Sequence, residues 1–329
     1  MTDTLSEVLA VTRLKGTVYF SAELRAPWGV TLPRRSRSPF YAVSQGQCEI
    51  TLDGARSPVS LGPGGLVVLP GGMGHTLASS STVTASPLDQ FVARYPMDDA
   101  GHLKVLDGSG PTTSLIGGFF ELERAPEPLV TILPPIIHLP ADDPEVDGWL
   151  DPILRSIASE AAQALPGRAV VLNRLADVLF VRVVRACLLK MAAAGATGPP
   201  SWLSGLTDPR ISRALAQIHG APERPWTLAE LASYAAMSRT AFAQRFRALV
   251  GQTPVGYLAS WRMQKAAYLL EMGTLTIAQI AERVGYMSEL AFSKAFRRLI
   301  GMPPGAYARR RARGTDGASA QPASPDKRP

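Results

Sequence analysis

Two stretches of this sequence, fifty residues apart, carry polar and basic side chains at the same helical spacing. They read MSRTAFAQRFRALVGQTPVGY from Met237 and MSELAFSKAFRRLIGMPPGAY from Met287, and ten of the 21 aligned positions are identical. Amide, hydroxyl, ammonium and guanidinium groups on one helix face can hydrogen-bond to base edges and phosphates. Counted from each serine, positions +2, +5, +6 and +9 form such a face: Thr240, Ala243, Gln244 and Arg247, then Leu290, Ser293, Lys294 and Arg297.

The ends and the apolar face of each copy predict one helix. Ser238 and Ser288 are good N-caps, and Gly251 and Gly301 supply the stop. The apolar residues between them form one stripe at helical period: Phe242, Phe246, Leu249 and Val250, then Phe292, Phe296, Leu299 and Ile300. A shorter amphipathic helix, opened by Thr227 or Thr276, precedes each copy. The pattern predicts two helix-turn-helix units at 227–250 and 276–300, a motif whose second helix enters the DNA major groove.

Charge favours DNA over a mere packing role for these helices. Residues 208–313 hold 16 Lys or Arg against six Asp or Glu, whereas residues 1–207 hold 16 against 19. A basic segment behind a mildly acidic body is typical of nucleic-acid binding, because neutralised phosphates supply most of the sequence-independent affinity.

The paired units resemble the DNA-binding domain of the AraC/XylS family of bacterial transcription regulators. The linking stretch YLASWRMQKAAYLLEMGTLTIAQIA and the end VGYMSELAFSKAFRRLIGMPPGAY carry the resemblance, which covers about 208–311. In that family the linking helix holds both recognition helices in successive major grooves on one DNA face. Roughly 18 helical residues from Pro254 to Met272 would span about 27 Å, commensurate with the roughly 34 Å between grooves.

The resemblance implies which side chains touch DNA. Gln244 suits adenine, Lys294 suits guanine acceptors, and Leu290 or Ala243 suits a thymine methyl. The expected base-edge residues are Arg239, Thr240, Ala243, Gln244, Glu289, Leu290, Ser293 and Lys294. Arg247, Arg297 and Arg298 are expected to clamp phosphates without reading sequence. For any one of them, a solvated charge is the alternative.

Residues 15 to about 125 read as strands and turns of a barrel or sandwich. Val18, Phe20, Ala22 and Leu24 alternate with polar neighbours, the period-two pattern of a half-buried strand. Gly64, Pro70, Gly72 and His75 reproduce the spacing of the second cupin motif, and the segment resembles the cupin-type sensor domain found in a branch of the same family.

One departure from the cupin pattern bears on metal binding. Metal-binding cupins draw two histidines and a glutamate from the earlier motif, but SPFYAVSQGQCEITLDG has Tyr41 and no histidine. One imidazole cannot form a set that needs three. We predict no metal and no cofactor, and favour a hydrogen-bonded barrel role for His75 over a small-molecule contact by Tyr41 and His75. No catalytic constellation stands out, so we predict no enzyme activity.

Composition and the patterns of the remaining segments limit the possible cellular compartment and the structure of the rest of the chain. The two cysteines, Cys48 and Cys187, form no disulfide framework, and we expect both to be structural in a reducing cytoplasm. The N-terminal segment lacks a signal-peptide pattern, and charges interrupt the most apolar stretch, so no membrane span is expected. Two helices, 147–160 and 172–191, are predicted after the strands, the second so apolar around its circumference that it is either buried or shared in a homodimer.

The sequence therefore predicts an α+β chain of two domains. The ranges are a cupin-like β-barrel with flanking helices at 1–194, a linker at 195–207, an all-α tandem helix-turn-helix domain at 208–312 and a disordered tail at 313–329. The predicted function is a cytoplasmic transcription regulator, in the activating sense, that binds promoter DNA and RNA polymerase and responds to a small-molecule effector. The alternatives are a cupin enzyme tethered to DNA and an effector-independent DNA-binding protein.

Overall fold

The computed structural model describes residues 3–12, 14–99, 101–122, 133–146, 148–163, 165–193 and 200–317. The chain divides into two compact units, one formed by Thr12–Pro199 and the other by Pro200–Pro329 together with Met1–Val11. In the described parts, no helix has the length and apolar character needed to cross a membrane.

The first unit is built from eleven described strands in two sheets. They are β1 (Leu14–Arg25), β2 (Gly29–Leu32), β3 (Ser38–Gln45), β4 (Cys48–Leu52), β5 (Val59–Leu61), β6 (Leu66–Val68), β7 (His75–Ala78), β8 (Ser86–Pro87), β9 (His102–Val105), β10 (Thr112–Leu122) and β11 (Ile137–Leu139). One sheet has the order β11-β6-β3-β10-β1-β9, and the other β5-β4-β7-β2-β8. Neighbours are antiparallel except β1 with β9 and β2 with β8. The inner residues of both sheets, such as Ile50 and Leu115, form one apolar core.

Helices cover the outer face of the larger sheet. The described helices of this unit are α2 (Leu88–Arg94), α3 (Leu150–Ala161) and α4 (Arg168–Ala193). Phe120 of β10 stacks on Phe40 at 4.7 Å and meets Phe180 of α4 at 4.9 Å between ring centroids. The long apolar helix predicted near 172–191 is therefore α4, and it lies under the barrel.

The second unit is all helical. Its described elements are α1 (Thr4–Thr12), α5 (Trp202–Leu206), α6 (Pro209–Gly220), α7 (Leu228–Tyr234), α8 (Arg239–Val250), α9 (Pro254–Met272), α10 (Ile277–Arg283), α11 (Glu289–Ile300) and α12 (Pro304–Gly317). Pairs α7–α8 and α10–α11 are the two predicted helix-turn-helix units, here called the first head and the second head. The predicted fold class, a cupin-like sheet domain with a helical tandem, is confirmed.

Three details differ from the sequence prediction. Helix α5 lies inside the stretch predicted as linker, because Ser201 caps it and donates its backbone N–H to Leu249; residues 194–199 lie outside the described residues. Helix α12 runs to Gly317, five residues into the predicted tail. Leu299 is 41% exposed rather than buried, because it lies about 60° around the helix from the buried Phe296.

The turns of the two heads need a left-handed residue at the same place. Gly285 supplies it in the second head with φ of 83°, whereas the first head uses Ala236 with φ of 52°. An L-residue in this region costs roughly 1–2 kcal/mol relative to glycine. The first head therefore holds a strained turn that its surroundings stabilise.

His219 of α6 is fully buried in the core of the first head. Its Nε2 lies 2.8 Å from the Tyr257 hydroxyl, and its ring centroid lies 4.1 Å from that of Trp261. Burial, aided by the charge of Lys265, lowers the pKa of His219 to about 3. The imidazole is therefore neutral in the folded protein at all ordinary pH values.

We expect a fragment of residues 200–329 to lose stability below pH 6.5. His219 is its one histidine; unfolding restores a pKa near 6.5, so only the unfolded chain binds this proton between pH 6.5 and 3. The loss at pH 5.5 relative to pH 8 should be about 1.4 kcal/mol. Urea unfolding at several pH values measures it, with His219→Gln as control. An equal pH slope in that variant would contradict the assignment.

Candidate nucleic-acid interface and barrel cavity

The two heads share one scaffold of caps and aromatic rings. Thr227 with Glu230, and Thr276 with Gln279, form capping boxes at the starts of α7 and α10. Ser238 and Ser288 accept from backbone N–H groups three residues on, and Gly251 and Gly301 end α8 and α11 at φ of 81° and 88°. Each core holds a matching ring series: Phe242, Phe246 and Tyr257, then Phe292, Phe296 and Tyr307. The predicted caps and most of the predicted buried stripe are thus observed.

The recognition helices α8 and α11 expose the predicted contact residues. The exposed set is Arg239, Thr240, Gln244 and Arg247 on α8, and Glu289, Leu290, Lys294, Arg297 and Arg298 on α11. Ala243 and Ser293 are half-buried at the edge of the same faces. Leu290 is 66% exposed, and Met287 in the preceding turn is fully exposed. The second head thus presents the apolar Leu290 where the first head presents the hydroxyl of Thr240, and the ammonium of Lys294 where the first head presents the amide of Gln244.

Helix α9 joins the heads without an interruption. Its first half packs in the first head through Tyr257 and Trp261, and its second half packs in the second head through Ala266 and Leu270. Its 19 residues span about 28 Å. Because both ends are buried in different cores, the helix fixes the separation and rotation of the recognition helices.

Sequence reasoning missed two ionic groups that position these helices. Asp208 caps α6 and pairs with Arg245 of α8; burial raises the pKa of Asp208, but backbone donors and Arg245 outweigh burial and leave it below the usual range. Arg262 of α9 donates to the carbonyls of Pro222 and Arg224, at 2.7 and 2.9 Å. Arg245 is 37 residues from Asp208, and Arg262 is 40 residues from Pro222, so no local sequence pattern signals either contact. The N-cap role of Asp208 could have been predicted, because an aspartate directly before Pro209 is a typical helix start.

The first unit contains a cavity of about 670 Å³ between its two sheets. Such a volume is typical of small-molecule sites. Helix α2 covers one side with Leu88, Phe91 and Val92, and most of the remaining lining is apolar. Tyr41 and His75, the pair predicted as possible ligand contacts, both lie on its wall.

Tyr41 and His75 bind each other. The Tyr41 hydroxyl lies 2.8 Å from His75 Nε2, and His75 Nδ1 lies 2.8 Å from the Met73 carbonyl. A carbonyl only accepts, so Nδ1 carries the proton. Burial lowers the pKa of His75 and raises that of Tyr41. The neutral imidazole therefore accepts from the phenol at Nε2, and both ring nitrogens are engaged.

The remaining metal-type ligands lie apart. Across the described residues, no three His, Cys, Asp or Glu side chains come together as a metal-holding group. Cys48 and Cys187 are both buried as free thiols. Burial raises their pKa values to about 12 and about 11. Both sulfurs are thus protonated and part of apolar packing.

Comparison with known proteins agrees with this arrangement. Residues 3–189 match the family described as Cupin, and residues 231–310 match the family described as Helix-turn-helix domain. An AraC-like transcription regulator of Streptomyces lividans is 38% identical over 93% of this chain and 97% of its own length. The regulator AlkR of Acinetobacter baylyi is 30% identical over 87% and 92%.

Among solved structures, the chain is similar to the DNA-binding domain of AdpA in complex with a target DNA. That domain is 34% identical, and the match covers 33% of this chain and 99% of the domain with a TM-score of 0.31. The family resemblance predicted from the sequence is confirmed for both parts of the chain.

Inserting one alanine after Gln264 should uncouple the two heads. The insertion rotates the second head by about 100° and advances it by about 1.5 Å, so both recognition helices can no longer face one side of a duplex. Affinity for a two-site DNA should fall on the order of 10²-fold, because the tethering advantage is lost.

Fluorescence anisotropy on the fragment of residues 200–329 measures this loss. Arg247→Ala, which removes one exposed charge, is the control and should cost far less. Far-UV circular dichroism verifies that the inserted variant is folded. Parent-like affinity in a folded insertion variant would contradict the role of α9.

Proposed function

Since the chain belongs to the AraC family of transcription regulators, whose helix-turn-helix domains bind double-stranded DNA, we propose that it activates promoters in response to a small molecule. It acts in the cytoplasm, binds promoter DNA with both heads and recruits RNA polymerase. The observation that carries this proposal is the pair of exposed faces on α8 and α11, which the continuous helix α9 joins.

The residues proposed to contact DNA fall into two chemical groups, those that contact base edges and those that contact phosphates. We assign base-edge contacts to Gln244 for adenine, Lys294 for guanine and Leu290 for a thymine methyl. The other base-edge candidates are Arg239, Thr240, Ala243, Glu289 and Ser293. Arg247, Arg297 and Arg298 neutralise phosphates, because guanidinium groups on the later turns suit the backbone. The exposed faces of the two heads carry different side chains. This difference supports recognition of a DNA sequence rather than non-specific electrostatic binding to DNA.

The barrel serves as the sensor in this proposal. Its cavity opens at a rim and is mostly apolar inside, and the buried polar pair on its wall, Tyr41 with His75, forms an internal hydrogen bond. We propose binding rather than catalysis there, since an imidazole with both nitrogens engaged supplies neither a free base nor a metal ligand. The effector changes DNA binding or polymerase contact.

A homodimer through α4 completes the proposal. The face of α4 opposite the barrel carries Val171, Val178 and Leu189, which are 43%, 48% and 54% exposed. Their spacing of seven and eleven residues places them on one side of the helix. Exposed apolar side chains on one helix face are typical of an interface, and here the exposed Arg182 and Arg185 lie between Val178 and Leu189 on the same side.

DNA binding by the fragment of residues 200–329 should be steeply salt dependent. Neutralising about six phosphates gives a slope near −5 for log K against log salt. Footprinting against random DNA should reveal a preferred site protected at two successive major grooves. A slope near zero, or uniform protection, would remove the proposal of sequence-specific binding.

Val178→Asp should shift the full chain from dimer to monomer, because the substitution buries a charge in the interface. Sedimentation velocity measures the change. Leu106→Asp is the matched control, because Leu106 is similarly exposed at 46% and lies outside α4. Equal sedimentation of both variants and the parent would contradict an interface on this face.

A further inference from the structure

The cavity has its positive charge at the rim and none in its interior. The interior surface is apolar and includes Phe20, Leu24, Trp28, Val30, Leu77, Leu103 and Leu115. Of the lining residues that the structure describes, Arg35 and Arg37 alone carry a permanent charge, and both are exposed in the segment between β2 and β3. No carboxylate is part of the lining.

The two rim arginines differ in their partners. Arg37 pairs with Glu121, and its guanidinium lies 4.3 Å from the centre of the Phe119 ring. Arg35 has no ion pair among the residues described here, although its charge reaches the cavity wall: burial raises the pKa of Tyr41, and Arg35 opposes that rise. Arg35 is therefore a cation available at the mouth.

The backbone holds Arg35 in this position. Its N–H donates to the Gly72 carbonyl at 2.9 Å, and Ser38 Oγ donates to the Pro70 carbonyl. Gly72 has φ of 57°, and a side chain there would collide with the carbonyls of Arg35 and Arg37. The rim segment is thus packed on the turn before His75, which lines the same cavity.

We infer that the cavity binds a hydrophobic carboxylate, with its apolar body between the sheets and its anionic end against Arg35. A charge inside the barrel would be desolvated without a partner, so the anion stays at the mouth. Apolar lining supplies the affinity for the body, and a charge-assisted hydrogen bond fixes the end. The inference rests on the proposed sensor function and names the class of its effector.

Calorimetry on the full chain without DNA tests the inference with three matched pairs of compounds. The pairs are decanoate with decanol, 2-naphthoate with 2-naphthylmethanol, and 4-phenylbutanoate with 4-phenylbutanol. At least one carboxylate should bind about tenfold or more tightly than its alcohol. Arg35→Gln should abolish this preference and leave the affinity for the alcohol unchanged.

Arg34→Gln is the matched control, because Arg34 is exposed in the same segment but does not line the cavity. It should keep the preference for the carboxylate. Ala22→Phe, which fills the cavity, should weaken the binding of both the carboxylate and the alcohol of a pair. If Ala22→Phe misfolds, Arg35→Gln and Arg34→Gln still test the inference, because both positions are exposed. The inference is overturned if no carboxylate binds below about 1 mM, if alcohols bind equally well, or if Arg35→Gln retains the preference.

The sensor function is tested separately with a promoter reporter and DNA-binding measurements. Carboxylates that bind through Arg35 but change neither readout would support the ligand class and refute the sensor function. A reporter that responds to an effector equally in parent and Arg35→Gln would support the sensor and refute the ligand class.

Discussion

The geometry of the DNA-binding unit depends on the contacts made by the guanidinium of Arg262. From the middle of α9 it donates to two carbonyls of the segment between α6 and α7 and lies 5.7 Å from the Tyr286 ring of the second head. Gly285 leaves room for this approach, because a side chain there would collide with the Glu223 carbonyl and with Arg262. One half-buried cation therefore binds the first head, the linking helix and the turn of the second head. Burial lowers the pKa of Arg262, yet carbonyl acceptors compensate for the lost water.

With the heads joined in this way, the repeat duplicates a scaffold and varies its surface. The identical positions include both N-cap serines, the paired phenylalanines, the C-terminal glycines and the tyrosines that close each core. The differing positions include the exposed pairs Arg239 and Glu289, Thr240 and Leu290, and Gln244 and Lys294. Equal scaffolds with unlike surfaces support the proposal that the two heads contact half-sites of different sequence. Under that proposal the bound site is directional, and a directional site lets a regulator face one way along a promoter.

How much the sequence could predict depends on the range of each interaction. Caps, helical stripes and strand alternation are local, so both heads and the barrel strands were predictable. The cupin-motif spacing marked His75, but its hydrogen bond to Tyr41, 34 residues away, was not predicted. The pairs Asp208 with Arg245 and Arg262 with Pro222 cross 37 to 40 residues and leave no periodic pattern. Leu299 was misplaced because an apolar residue at the flank of a stripe looks the same in sequence as one at its centre. Helix α5 was missed because its five residues are too few to show a period.

Strand β10 links the cavity to α4, the helix proposed to form the dimer interface. Side chains alternate along β10, so Leu115 and Phe119 line the cavity while Phe120 packs on Phe180 of α4. A ligand that displaces β10 on its inner face must also move the ring that supports α4, because close-packed interiors transmit strain. The outer face of α4 carries the exposed apolar residues proposed as the interface. In the proposed regulator, occupancy of the barrel and the geometry of the dimer are therefore coupled through strand β10.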